Sequence, residues 1–207
     1  MLIGRHVILW ATQAAMEKPV STPTETRLTP EEYLRLERPA ERKSEFFDGE
    51  MIPMSGVSRE HNRINRNLII ELSNRLAGRP YELFFCDMRI KIPATRSYAY
   101  PDVAVLCGEP TFEDEHVDTL VNPQLIIEIL SESTERHDRG RKLRQYRMIE
   151  SLQEYLLVSQ MECRIERYTR LPSGEWVYSD ITDPEGFVEL SSIACQLSPA
   201  RIYDRIF

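Results

Sequence analysis

The chain has 207 residues, 42% apolar and 29% charged, enough for one domain with a single sizeable core and no need of a second. A net charge of −7 and a pI near 5.3 exclude a surface coated in basic residues for constitutive nucleic-acid binding, although a local basic cluster remains compatible with them. Cys86, Cys107, Cys163 and Cys195 form no C-x-x-C pair and no zinc-ligand spacing with histidine, so they read as reduced core thiols of a cytoplasmic protein.

Residues 1–26 hold one apolar run, Val7 to Ala11, too short to span a bilayer, followed by a Thr, Pro and Glu-rich stretch without hydrophobic period. They are expected to form a disordered leader, with Met16 an alternative start, leaving 27–207 as the domain. "LTPEEYLRLE" starts a short helix, with Thr29 as N-cap, Pro30 at the first helical position and two acids in the first turn. "SEFFDGEMIPM" reads as two strands joined at Asp48-Gly49, a dipeptide favoured in two-residue hairpins. From Ser58 to Ala77 the apolar residues at 64, 68, 69, 72 and 76 line one helical face, and Gly78 supplies the stop.

Four extended segments follow, at 81–86, 88–92, 102–106 and 124–130, and are expected to form the central sheet. "DRGRKLRQYRMI" reads as a helix with Leu143, Tyr146 and Ile149 facing inward, and "EYLLVS" as another buried strand. Segments 163–169, 175–181 and 187–190 suggest a late antiparallel addition around the Pro172-Ser173-Gly174 turn.

Two of these strands each carry one carboxylate among apolar neighbours: Asp102 in "YPDVAVL" and Glu128 in "PQLIIEIL". Burying an unpaired carboxylate costs several kcal/mol, so each needs a metal ion, a basic partner or the mouth of a cleft. By strand alternation Asp102 shares a face with Ala104 and Leu106, and Glu128 with Ile126 and Leu130. If the strands are neighbours with these faces aligned, the two acids converge as hard oxygen ligands for Mg²⁺. The competing structural readings are a capping acid after Pro101 and an ion pair between Glu128 and an arginine of 139–147.

The order "PDVAVL", "EILSEST", "DRGRKLRQYR" and "SLQEYLLVS", preceded by "SEFFDGEM", "MSGVSREHNRIN" and "VNPQLIIEIL", resembles the Uma family of restriction-endonuclease-like proteins within the PD-(D/E)XK nuclease superfamily. The resemblance runs from about Leu28 to the C-terminus. It implies an α/β fold, a restriction-endonuclease-like mixed β-sheet flanked by helices, with the site at one edge. It also implies a metal-dependent endonuclease using Mg²⁺ or Mn²⁺ on nucleic acid, DNA first, with a homodimer as a further expectation. A nuclease fold used only for protein interaction or nucleic-acid binding is the rival function.

By the same resemblance Asp102 and Glu128 match the two metal-binding acids, and Glu45 matches an acid ahead of the hairpin turn. The lysine expected two residues after the second acid is replaced by Leu130, and Lys142 on the following helix matches its displaced position. A solvated helix residue is the alternative for Lys142. Arg139, Arg141 and Arg144, with Arg147 beside them, are the candidates for tracking a nucleic-acid backbone. His61 is a possible accessory residue, or a capping and packing histidine. Asp87 and Lys91 could support the site or merely punctuate the sheet, and Tyr98 and Tyr100 could stack on bases or pack in the core.

Overall fold

A computed structural model describes residues 27–85 and 87–207. The expected leader, 1–26, lies outside the described residues, as does Cys86. No helix among the described residues is long and apolar enough to cross a membrane.

The first helix, α1 (Pro30–Glu37), begins as its sequence predicts: Thr29 Oγ1 accepts from Glu32 N–H, and Glu32 Oε2 accepts from Thr29 N–H in return. The hairpin of β1 (Ser44–Phe47) and β2 (Glu50–Pro53) turns at Asp48 (φ 53°) and Gly49 (φ 86°), the left-handed pair that a tight two-residue hairpin needs. Helix α2 (Arg59–Leu76) is capped by Ser58, whose Oγ accepts from the His61 N–H, and buries Ile64, Leu68, Leu72 and Leu76. The strands β3 (Tyr81–Phe85), β4 (Arg89–Ile92), β5 (Ser97–Ala99), β6 (Val103–Cys107), β7 (Thr119–Leu120) and β8 (Leu125–Leu130) follow. A short helix α3 (Glu135–His137) then runs through a π-helical turn, Asp138–Lys142, into α4 (Leu143–Tyr146). The chain closes with β9 (Glu154–Ser159), β10 (Ile165–Arg170), β11 (Trp176–Ile181), β12 (Val188–Leu190), β13 (Cys195–Leu197) and α5 (Pro199–Ile202).

The strands form two main sheets, one of six strands in the order β11-β10-β9-β8-β6-β3 and one of five in the order β2-β1-β5-β4-β7. In the larger sheet only β8 and β9 run parallel; its other pairings are antiparallel. Strand β8 is covered on both faces, as its Ile and Leu run, interrupted only by Glu128, requires. Leu125, Ile127 and Ile129 join Val103 and Val105 in a core under α2 and α5. Ile126 and Leu130 join Ala104 and Leu106 in a second core, closed by Phe47, Ile90 and Ile92 of the smaller sheet and by Tyr146 and Ile149. The site lies beside this second core, between the two sheets.

Three expectations are corrected. Strand β4 belongs to the smaller sheet, not to the central one; its alternation of Arg89 and Lys91 with Ile90 and Ile92 gives it one apolar face, which packs from across the second core. The segment at 138–142 is π-helical rather than α-helical, a wider turn that directs both Asp138 and Lys142 inward. Strands β10 and β11 extend the central sheet as an antiparallel hairpin, but β12 pairs instead with β13 in a separate ribbon.

Candidate active site

Adjacent strands β6 and β8 pair Val103 with Ile127, and continuing that register by one residue sets Asp102 opposite Glu128. Both line a cavity of about 260 Å³ together with Glu45, His61, Asp138 and Lys142. The face alternation read from the sequence therefore holds, and the two acids converge.

Each acid is held by a different neighbour. Asp102 Oδ2 accepts from the Ile129 N–H at 2.7 Å, and its Oδ1 lies 3.2 Å from His61 Nε2, which the first turn of α2 carries into the cavity. Glu128 is buried, and its Oε1 accepts from both Lys142 Nζ and Tyr146 OH at 2.9 Å. Both donors reach the same oxygen, so Oε2 has no hydrogen-bond partner among the described residues.

Lys142 is the hub. Its ammonium stands 2.8 Å from Glu45 Oε1, 2.9 Å from Glu128 Oε1 and 3.5 Å from Asp138 Oδ1. Glu45 comes from the smaller sheet, where it also accepts from the Tyr100 N–H at 3.1 Å and lies 3.3 Å from His137 Nε2. The lysine thus ties β1, β8 and the π-helical turn together, and it is buried rather than a solvated helix residue.

Burial alone would lower the lysine's pKa, but Glu128, Glu45 and Asp138 outweigh it and hold the ammonium well above its ordinary value. Burial pushes the Glu128 carboxyl well up; Lys142 pulls it back only in part, while Asp138, Asp102 and Glu45 add to the rise. Burial likewise raises Asp138 against the pull of Lys142. For Glu45 the burial effect is overcome by Lys142, His137 and the Tyr100 N–H, and its carboxyl stays below the usual value. Three carboxyl groups thus surround one ammonium, with Asp102 close by, an excess of negative charge that adds to burial in raising Glu128.

That excess is what a hard cation would neutralise. Glu128 Oε2 and the Asp102 carboxylate fit a divalent ion held by two carboxylates and completed by water and substrate phosphate, the usual mode for Mg²⁺. Among the described residues no group of three His, Cys, Asp or Glu side chains stands at metal-ligand spacing. The fit is therefore to an ion that keeps water ligands rather than to a closed protein cage.

The proposed backbone-tracking arginines are less available. Arg139 pairs with Glu135 at 2.8 Å and with buried Glu166, and Arg141 lies 3.7 Å from Glu50. Arg144 is exposed, and Arg147 sits over the Trp176 ring. Lys91 is engaged by Glu113 at 2.5 Å and Asp87 by Lys43 at 3.5 Å. Tyr98 and Tyr100 are buried, with their hydroxyls donating to Glu113 and Glu37, so they pack rather than wait for a base.

Sequence reasoning missed Asp138, His137 and Tyr146. Asp138 stands four residues before Lys142, a helical pair spacing that could have flagged it. Nothing in the sequence signals that His137, at the end of α3, would reach Glu45 on the smaller sheet.

Mixed sheets flanked by a few helices place the chain in the restriction-endonuclease-like class of α/β folds. A crystal structure described as a putative nuclease belonging to DUF820, from Anabaena variabilis, superimposes with a TM-score of 0.73 at 19% identity, covering 87% of this chain and 99% of that one. Residues 30–200 match the model of the Uma2 family, described as "Putative restriction endonuclease", and the chain belongs to that family. It is similar to two Synechocystis sp. proteins, both described as uncharacterized. Protein sll1609 is 42% identical over 164 residues, 79% of this chain and 93% of the relative. Protein slr1290 is 36% identical over 177 residues, 86% and 92%.

Proposed function

We propose that the protein is a divalent-metal-dependent endonuclease that hydrolyses phosphodiester bonds in nucleic acid, with DNA the first substrate to test. The observation that carries this reading is the convergence of Asp102 and Glu128 at one cavity, with the Lys142 ammonium 2.9 Å from Glu128. In-line attack on a phosphodiester needs an activated water and positive charge where the phosphate becomes more negative. Asp102 and Glu128 would hold Mg²⁺ or Mn²⁺, which when bound supplies Lewis-acid charge stabilisation and acidifies a water.

The chain's own side chains do the remaining work. Lys142 Nζ, kept protonated by its carboxylates, serves as a donor that orients water and offsets charge rather than as a proton acceptor. Glu45 and Asp138 hold that ammonium from two sides. His61 and the Ile129 N–H fix the Asp102 carboxylate. A two-fold dimer would let two such cavities address both strands of a duplex.

The rival reading, a nuclease fold that binds without cutting, draws on the same lysine, since three carboxylates already occupy it. Supercoiled plasmid incubated with Mg²⁺ or Mn²⁺ decides between them. Wild type should nick it, and Asp102→Ala and EDTA should each abolish nicking. Binding without nicking would favour the rival, and equal nicking by Asp102→Ala would remove this cavity from the chemistry.

A further inference from the structure

A second concavity lies further along α2. It is an open groove of about 550 Å³ between α2 and α5, where Arg66, Arg201 and Arg205 outnumber the two acids of the lining, Glu71 and Asp204. Its walls are built rather than accidental. The buried Asn67 amide donates to the Ile202 and Asp204 carbonyls at 2.9 and 3.1 Å, and Arg63 donates to the Arg205 carbonyl at 3.0 Å, pinning the C-terminal segment against the helix. Arg205 itself holds φ at 60°, a left-handed conformation costly for a side chain with a Cβ.

The charge of α2 and the C-terminal segment opposes that of the whole chain. Residues 59–76 and 199–207 together carry six arginines against three acids in a chain whose net charge is −7. The Arg201 and Arg205 side chains are 69% and 82% exposed; Arg201 reaches buried Glu71 only at 3.3 Å and Arg205 reaches Asp204 only at 3.7 Å. Such guanidinium groups can exchange their present partners for phosphate oxygens at little cost. Arg139, by contrast, is already held by Glu135 and buried Glu166 of its own chain.

We propose that this groove binds the phosphodiester backbone of the nucleic-acid substrate outside the catalytic cavity. The inference rests on the nuclease reading and deepens it, by naming where the substrate is gripped. Helix α2 joins the two places, since its first turn puts His61 against Asp102 while Arg66 to Asn74 form the groove wall. At 1.5 Å of rise per residue, His61 to Asn74 spans roughly 20 Å, about the width of a duplex.

The test is binding in EDTA, where the cation-dependent chemistry is off. Fluorescence anisotropy would use labelled duplex DNA, single-stranded DNA and duplex RNA of one sequence. The triple variant Arg66→Glu, Arg201→Glu, Arg205→Glu should weaken the tightest of these complexes by tenfold or more. It should also flatten the dependence of log affinity on log salt, by about 0.9 for each duplex-DNA phosphate that is no longer neutralised. Arg35→Glu, an exposed reversal on α1, should leave both quantities unchanged. Because Arg201→Glu sets a like charge beside Glu71, the neutral pair Arg66→Gln with Arg205→Gln repeats the test in a milder background and should lose affinity in the same direction. Wild-type binding that both variants retain in full, or that Arg35→Glu weakens equally, overturns the groove alone and leaves the nuclease reading standing. If wild type binds none of the three probes at low salt, both fall.

Discussion

Asp102 and Glu128 stand opposite each other on neighbouring antiparallel strands, one step beyond the pair formed by Val103 and Ile127. Two carboxylates so placed repel each other unless a cation or a proton lies between them. Titration calorimetry with Mn²⁺ should therefore show binding that Asp102→Asn and Glu128→Gln each weaken by about tenfold or more, since losing even a hydrogen bond that supports a ligand costs about that much. Undiminished binding in either variant would mean that the cation sits elsewhere.

Glu128 also sets a pH dependence. Burial, with Asp138, Asp102 and Glu45 around it, holds its carboxyl well above the ordinary value of 4.5 despite Lys142, so the folded state binds this proton more tightly than the unfolded chain. Its stabilising contribution is complete below that unfolded value and is lost as pH rises through the raised folded one. Metal-free wild type should thus melt at lower temperature as pH climbs from about 5 to about 8, and Glu128→Gln should lose less over the same window. Gln can still accept from Lys142 and Tyr146. Parallel melting curves for the two proteins would show that the retained proton is not on Glu128.

The hairpin whose first strand carries Glu45 turns through Gly49. Gly49 has φ 86°, and a Cβ there would meet Arg27 Cβ at 2.6 Å. Gly49→Ala should therefore destabilise the protein by about 1–3 kcal/mol, read by urea unfolding, through backbone strain and the displaced arginine together. Gly78, with φ 72° and nothing within 4 Å, should lose less on the same change.

Much of this was legible because local chemistry and long-range packing agree. Thr29, Ser58 and Asp48-Gly49 set their caps and turn through neighbours a few residues away. The lone acids at 102 and 128 stood out because every other inward position of those strands is apolar. What stayed hidden depends on contacts between segments distant in sequence. The division of β4 from β3 is decided by pairing with β5 and β7. The link from His137 to Glu45 joins the end of α3 to the smaller sheet. Arginine-rich "DRGRKLRQYR" reads as a nucleic-acid surface until Glu135, Glu166 and Glu50 are seen to claim two of its charges.

The displaced lysine gives the last prediction. Lys142 reaches Glu128 from the π-helical turn, whereas Leu130 shares the Glu128 face of β8 about 6–7 Å further along by the usual strand rise. Removing the ammonium leaves Glu45, Glu128 and Asp138 facing one another, so Lys142→Ala should cost about 3 kcal/mol near neutral pH, as expected when one member of a buried charge cluster is removed. That loss should shrink in mild acid, where protonated carboxyls no longer repel. Cleavage should vanish while Mn²⁺ binding survives, because the acids that hold the ion remain. Adding Leu130→Lys should restore a measurable part of the activity if the reaction needs only a positive charge beside these acids. Leu130 is 4% exposed within the second core, so the added lysine carries its own burial cost and the double variant must be shown folded by circular dichroism before it is assayed. A folded Lys142→Ala protein cutting at the wild-type rate would reduce Lys142 to a structural clasp between the two sheets; a folded double variant without activity would mean that the geometry fixed by Glu45 and Asp138, and not the charge alone, is what the chemistry requires.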